Sequence, residues 1–395
     1  MNILVYMRIK KTILTAASLL AAVGLSLPHA ELQAQNQSAG INLSIWKGIS
    51  TQPADSTQTT YFNIGFQSTM NRLNGLGMNV LVGAIHKDMN GVQISGIANM
   101  VGKSMRGVQF SGITNISGNN MVGLAATGLV NITGNGAKGV LLSGMTNIAG
   151  DNSAGAMLSG LMNITGDAAS GIQVSGLANI TGDTFDGVMA SGLLNVVGDH
   201  TNGIQFAGIG NITGKQLNGM QIGMFNYATK AHGVQIGLVN YYREEMQGFQ
   251  LGLVNANPQT NVQMMVYGGN ASLFNVGARF KNELFYTILG VGAYDQNLND
   301  KFSTSFSYRA GLALPLYKGL AISGDLGYQH IEAFKNRNEV IPRRLYALQG
   351  RVNLEYQFTE KFGIFATGGY GLTRLYHQSH NFDKGAIIEA GIILF

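Results

Sequence analysis

Cysteine is absent from this 395-residue chain, tryptophan occurs once, proline five times, and charged residues make up only 11%. The first absence excludes disulfides, so the fold must stand on packing and hydrogen-bonded ladders. It also excludes a lipid-modified cysteine behind a leader. Charge is scarce against the roughly 25% of ordinary soluble domains, while hydrophobic residues reach 45%. That balance suits a membrane protein. Past the N-terminus, however, no stretch approaches the roughly 18 consecutive apolar residues of a spanning helix. A β-barrel is then the remaining way across a bilayer. No Lys/Arg-rich run exists, and the net charge of +5 becomes 5 − 3 = +2 when Arg8, Lys10 and Lys11 are set aside with a leader. Nucleic acid is therefore not an expected partner.

Catalytic signatures are missing too. There is no Walker loop, HExxH, GxSxG or paired metal-ligand motif, so no catalytic residue, cofactor or metal is expected. The histidines are scattered. His377 and His380 lie close together before the last strand and read better as an exposed loop tip than as a metal site.

The N-terminus has the form of a secretory signal over residues 1–34. Arg8, Lys10 and Lys11 make the positive region, Thr12 to Leu27 the apolar region, and Ala30 or Ala34 the cleavage position.

What the chain has in abundance is glycine, 55 residues, most of it periodic. The register Gly-x-x-x-x-Gly-x-x-Asn-x-x-Gly recurs every 16 residues from Gly91 to Gly214. A fixed short period with several invariant columns is the mark of a stacked, quasi-one-dimensional architecture. In the unit at Gly171, Ile172 and Val174 alternate as in a strand. The phase slips at Ser175-Gly176, and Leu177 and Ile180 are expected to resume on the inside. Glycine at the slip suits a corner. Each unit thus reads as one coil of a β-solenoid with two short strands; a meander of short hairpins is the alternative. The asparagine column, Asn99, Asn115, Asn131, Asn147, Asn163, Asn179, Asn195 and Asn211, reads as a hydrogen-bonded ladder or as local corner-stabilising turns. The last units, at Gly219, Gly233 and Gly248, shorten and gain aromatics.

Beyond Pro258 the period disappears and longer two-faced strands follow. Phe306, Tyr308, Leu312 and Leu314 alternate with Ser305, Ser307 and Arg309; Ile322, Leu326 and Tyr328 oppose Ser323, Asp325 and Gln329. Leu348, Val352, Leu354 and Tyr356 oppose Gln349, Arg351, Asn353 and Glu355. About eight antiparallel strands are expected. Alternation alone does not say whether the apolar face meets a core or lipid. Aromatics near strand ends (Tyr317, Tyr356, Phe358, Tyr376), the leader and the terminal Phe395 favour a membrane barrel. Arg309, Asp325, Arg351 and Glu355 would then line its lumen, as a structural ion-pair network rather than an acid/base cluster. Glu389 shares the parity of Phe395.

The expected fold is all-β: residues 35–90 as a cap or as barrel strands, a 16-residue-repeat β-solenoid over 91–257, and a C-terminal antiparallel barrel over 258–395. The tandem units GVQISGIANM and GIQVSGLANITGD, the opening INLSIWKGISTQ and the closing LEYQFTEKFGIFATGGYGLTR resemble a family of bacterial surface-repeat proteins of Bacteroidetes and spirochaetes. The resemblance implies a surface or outer-membrane location and no ligand. Phe395 resembles the end of an outer-membrane assembly signal, which implies the barrel assembly machinery and outer-membrane lipid as partners. A non-enzymatic barrel anchor presenting a structural or adhesive rod is the first functional expectation. A porin-like small-solute channel and a secreted glycan-binding or glycan-active solenoid are the others.

Overall fold

A computed structural model describes residues 40–46, 49–52, 57–293, 302–334, 343–376 and 381–395. The leader at 1–34, the stretch 35–39 and the His377/His380 loop tip lie outside the described residues. All helix or strand among the described residues is strand. The chain divides into two compact units, one running to Ile236 together with 245–249, the other made of 237–244 and 250–395.

The repeats form a β-solenoid of 12 turns of about 16 residues. Each turn contributes a longer and a shorter strand, for example Met89–Ser95 and Ala98–Val101, repeated as Met105–Ser111 and Thr114–Ser117. Equivalent strands pair in parallel one turn apart, Gly91 opposite Gly107 and Asn99 opposite Asn115. Hairpins would have paired them antiparallel. Residues before Gly91 belong to the same stack: Ile41 lies opposite Phe62, Phe62 opposite Leu76, and Leu73 opposite Met89, all in parallel. None of these strands joins the barrel.

The opening glycines adopt φ of +105° to +142° from Gly91 to Gly248. A Cβ on Gly139 would sit 2.1 Å from the Gly123 carbonyl oxygen of the turn below. At the corner it is close approach alone that demands glycine: a Cβ on Gly144 would lie 2.0 Å from the Gly128 oxygen.

The interior differs from the expectation. In the Gly171 unit, Gln173 is 2% exposed and Ala169, Asn179 and Thr181 are buried, whereas Ile172 is 49% exposed and Val174 and Leu177 also face out. The same inversion runs through the stack. The inner columns are small, polar or flexible: Met105, Met121, Gln109, Leu141 and Ala149 are buried beside the asparagines. The apolar columns form the outside. Alternation had separated the two faces but turned the apolar one inward: Leu177 faces out with Ile172 and Val174, and Ile180 is only half-buried between the buried Asn179 and Thr181. A coil of such short strands encloses little width, and amide ladders fill it, while branched aliphatics stack along the exterior.

The second unit is dominated by a closed antiparallel barrel of eight strands: Asn261–Gly269, Phe274–Asn282, Phe285–Ala293, Phe302–Tyr317, Leu320–Phe334, Arg343–Thr359, Phe362–Leu375 and Asn381–Leu394. Closure joins the first to the eighth, Met265 opposite Ile393 and Tyr267 opposite Gly391. The turns Glu283-Leu284, Lys318-Gly319 and Glu360-Lys361 crowd one end, where the first strand begins and the eighth finishes. At the other end the strands Phe285–Ala293 and Phe302–Tyr317, and Leu320–Phe334 and Arg343–Thr359, are separated by eight residues each in the sequence. Side chains facing out are apolar and bare, Leu326 at 76% and Ile388 at 68%.

The eighth strand resolves the parity of its end. Glu389 and Ile393 are buried inside, so Phe395 would follow them inward in a regular strand. Its φ of +78° turns it off the strand, and it is exposed. Ile393 therefore belongs to the barrel interior, not to its outer face.

Candidate functional site

The barrel interior gathers the chain's buried charges. Arg309 makes a two-point contact with Asp325, Nε to Oδ1 at 2.8 Å and Nη2 to Oδ2 at 2.7 Å. Such planar bidentate pairing is the strongest common form of charge-assisted hydrogen bond. Tyr286 and Asn353 also donate to Oδ2 of Asp325, at 2.8 and 2.9 Å.

Arg351 and Glu355 share a strand and a face but do not pair with each other. Arg351 Nε donates to Glu389 at 3.0 Å, and Glu355 accepts from Arg279 Nη1 at 2.8 Å and from Ser323 at 2.6 Å. Arg279 also donates twice to Gln263, at 2.8 and 2.6 Å. Asn353 donates to Ser323 at 3.0 Å and so joins the Arg279–Glu355 pair to the Arg309–Asp325 pair. The three arginines each meet a carboxylate.

Sequence reading had singled out four of these six charges. Arg279 was missed, although a lone charge in the run Asn275–Phe280 between apolar neighbours is the signal that would have revealed it. Glu389 was noticed only as a conflict with Phe395, and its partner explains the parity. Each of the three interior carboxylates accepts from an arginine. Among the described residues no group of three or more His, Asp or Glu could hold a metal ion.

Outward-facing aromatics fall at both ends of the barrel. Tyr356, Phe358 and Phe362 pack together at the tight-turn end, with centroids 4.8 and 5.7 Å apart. Tyr328, Tyr346 and Tyr376 cluster at the other, with centroids 6.4 and 5.2 Å apart. Tyr376 thus belongs to a different ring from Tyr317, Tyr356 and Phe358. Tyr346 and Tyr356 are 356 − 346 = 10 positions apart on one strand. At about 3.3 Å per residue and a tilt of about 40°, the two rings are separated by about 25 Å along the barrel axis.

In the solenoid, each asparagine amide donates to the Oδ1 of its equivalent one turn on: Asn99 to Asn115 at 2.9 Å, Asn115 to Asn131 at 3.0 Å, Asn131 to Asn147 at 2.9 Å and Asn147 to Asn163 at 3.0 Å. Asn163, Asn179 and Asn195 continue it to Asn211 at 2.9 to 3.0 Å. The second amide hydrogen goes to the carbonyl before the corner of the next turn, as from Asn163 to Val174 at 2.8 Å. One residue therefore ties two turns together and secures the neighbour's corner. A parallel glutamine ladder, Gln235 to Gln221 and Gln221 to Gln205 at 2.8 Å, went unread in the sequence, where glutamine occupies its column less regularly. Asn163→Ala strands the Asn179 oxygen and takes one of three acceptors from the Asn147 amide, which keeps the Leu141 and Leu158 carbonyls. We expect it to destabilise the solenoid by about 1–3 kcal/mol, read as a lowered urea midpoint by circular dichroism of the full chain.

The fold thus defines the class: a polar-cored β-solenoid followed by an eight-stranded barrel with a charged, internally paired lumen. No protein-family model matches the chain, and no curated protein matches it. Among solved structures, three proteins are similar to about a third of it. The N-terminal β-barrel domain of Pseudomonas aeruginosa OprF matches at 18% identity, covering 34% of this chain and 98% of that one, with a TM-score of 0.25. Neisserial surface protein A matches at 10% identity, covering 34% and 93%, with a TM-score of 0.26. Ail, the attachment invasion locus protein of Yersinia pestis, matches at 18% identity, covering 34% and 93%, with a TM-score of 0.22.

Proposed function

We propose that this is a non-enzymatic integral protein of a bacterial outer membrane, in which the barrel is the anchor and the solenoid a structural element attached to it. The observation that carries the reading is the inversion of the barrel: bare aliphatic side chains outside, three paired arginines within. In water that arrangement would expose a far larger apolar surface than soluble monomers tolerate. In a bilayer it is the ordinary one. The separation of about 25 Å between aromatic rings matches the apolar band of outer-membrane barrels.

The topology supports a side as well. Outer-membrane barrels keep tight turns in the periplasm and long loops outside. This chain enters and leaves the barrel at the tight-turn end, which favours a periplasmic solenoid and a structural role over adhesion. A channel gains no support from an interior crossed by three ion pairs, since eight strands leave room only for side chains. In this reading the barrel assembly machinery recognises the final strand ending at Phe395.

The test is fractionation of cells expressing the full chain. The protein is expected in the outer-membrane fraction, resistant to urea extraction and shifting in gel mobility on boiling. Recovery as a soluble periplasmic protein would overturn the proposal.

A further inference from the structure

Every charged residue between Gly91 and Asn218 sits at one of two offsets, the twelfth or fifteenth position after the opening glycine, from Lys103 and Arg106 to Asp199 and Lys215. All lie on the return turn or beside it. The opposite edge, around the Ser-Gly corner, carries an unbroken aliphatic column. Ile97, Ile113, Leu129, Met145, Leu177 and Ile209 stand 39% to 46% exposed, and a second exposed column runs beside it through Phe110, Val174 and Phe206. Between Gly91 and Asn218 the charge is thus confined to the return-turn side, and the corner edge carries none.

We propose that this apolar edge is a lipid-binding surface that inserts into the hydrocarbon of the leaflet on the tight-turn side of the barrel. The inference rests on the reading that the barrel spans the membrane. Three observations select lipid over a protein partner. The first is composition: protein interfaces place Tyr, Trp and Arg anchors in a polar rim, whereas these columns are uniform aliphatics with an occasional Phe. The second is segregation, since interfacial elements keep one apolar face and all their charge on the other.

The third is position. The corner column ends at Leu253, in the same compact unit as the barrel. There the carbonyls of Gly252 and Leu253 accept hydrogen bonds from Tyr308 Oη at 2.8 Å and Thr287 Oγ1 at 3.1 Å. Thr287 alternates with the inward Tyr286 and Ile288, and Tyr308 with the inward Arg309, so both point from the outer wall of the barrel. Gly252 and Leu253, within the barrel's own unit, therefore lie against the wall that the membrane reading assigns to lipid. Part of the corner backbone is already paired turn to turn, Ile113 N to Ile97 O at 2.9 Å and Leu177 N to Leu161 O at 2.9 Å, which lowers the cost of immersing it.

The chain's lack of cysteine makes a clean test. Single variants Leu177→Cys and Leu193→Cys on the edge, Asn135→Cys on the return turn and Leu348→Cys on the barrel wall each carry an environment-sensitive fluorophore. The full protein is reconstituted in phosphatidylethanolamine/phosphatidylglycerol vesicles containing lipids brominated on their acyl chains. Quenching at 177 and 193 comparable to that at 348, with none at 135, is the expected result. Quenching at 348 but at neither edge position overturns the inference, whether iodide in the water reaches those labels or a second copy shields them and unlabelled cysteines cross-link. Absence of quenching at 348 defeats the barrel reading itself, and the inference with it.

Discussion

Asp325→Ala is expected to lower barrel stability by about 3–5 kcal/mol, the usual penalty for removing one member of a buried ion pair. The loss is large because the carboxylate accepts from three residues at once. Arg309 donates to both oxygens, and Tyr286 and Asn353 to Oδ2. Without it the Arg309 guanidinium stays enclosed with only a 3.2 Å contact to Asn353 and the Tyr267 ring 5.6 Å away. Removing both charges together, as Arg309→Met with Asp325→Leu, should recover most of the loss, since an apolar replacement of a buried pair is often neutral or better. The measurement is the urea midpoint of the heat-modifiable band in lipid vesicles. Equal destabilisation by the single and double variants would show that the pair's charge is not what matters at this position.

Gly139→Ala should be almost as damaging in the solenoid. The position has φ of +128°, and the added carbon would meet a backbone oxygen at 2.1 Å. Strain in a sparsely populated conformation is worth about 1–3 kcal/mol and an overpacked contact about 1–3 kcal/mol more, and neither neighbour can yield without breaking the turn-to-turn pairing. Gly136→Ala, three residues earlier, supplies the control. Its nearest contact is the Asn120 side-chain oxygen at 3.2 Å, and no positive φ is required. It should change the urea midpoint by at most a few tenths of a kcal/mol, as surface substitutions do. A solenoid that tolerates both variants equally would refute the close-packed account of the opening glycines.

Much of this architecture was legible beforehand because its causes are local or periodic. The 16-residue register, with glycine wherever backbones approach or φ is positive, dictates stacked turns whatever the interior contains. Two-residue turns such as Lys318-Gly319 between alternating strands dictate antiparallel neighbours. Individual partners were harder. Arg351 and Glu355 stand four residues apart on one strand, yet strand tilt aims them at Glu389 and Arg279 on different strands. Pairing across a closed barrel depends on stagger, which no single strand carries.

The assignment of Leu177 to the solenoid interior failed for a related reason. A repeat states which residues share a face, because equivalent positions stack; it does not state which face turns inward. Here amide ladders, Asn163 to Asn179 and Gln221 to Gln205 among them, make a polar interior whose hydrogen bonds are satisfied only after neighbouring turns are in place. Composition, period and alternation by themselves determined that this chain would be all-β, repetitive in its middle and two-faced at its end. Only the tertiary structure decided which faces enclose and which are bare, because burial follows from the closure of a coil or barrel, and closure is made by residues far apart in the chain.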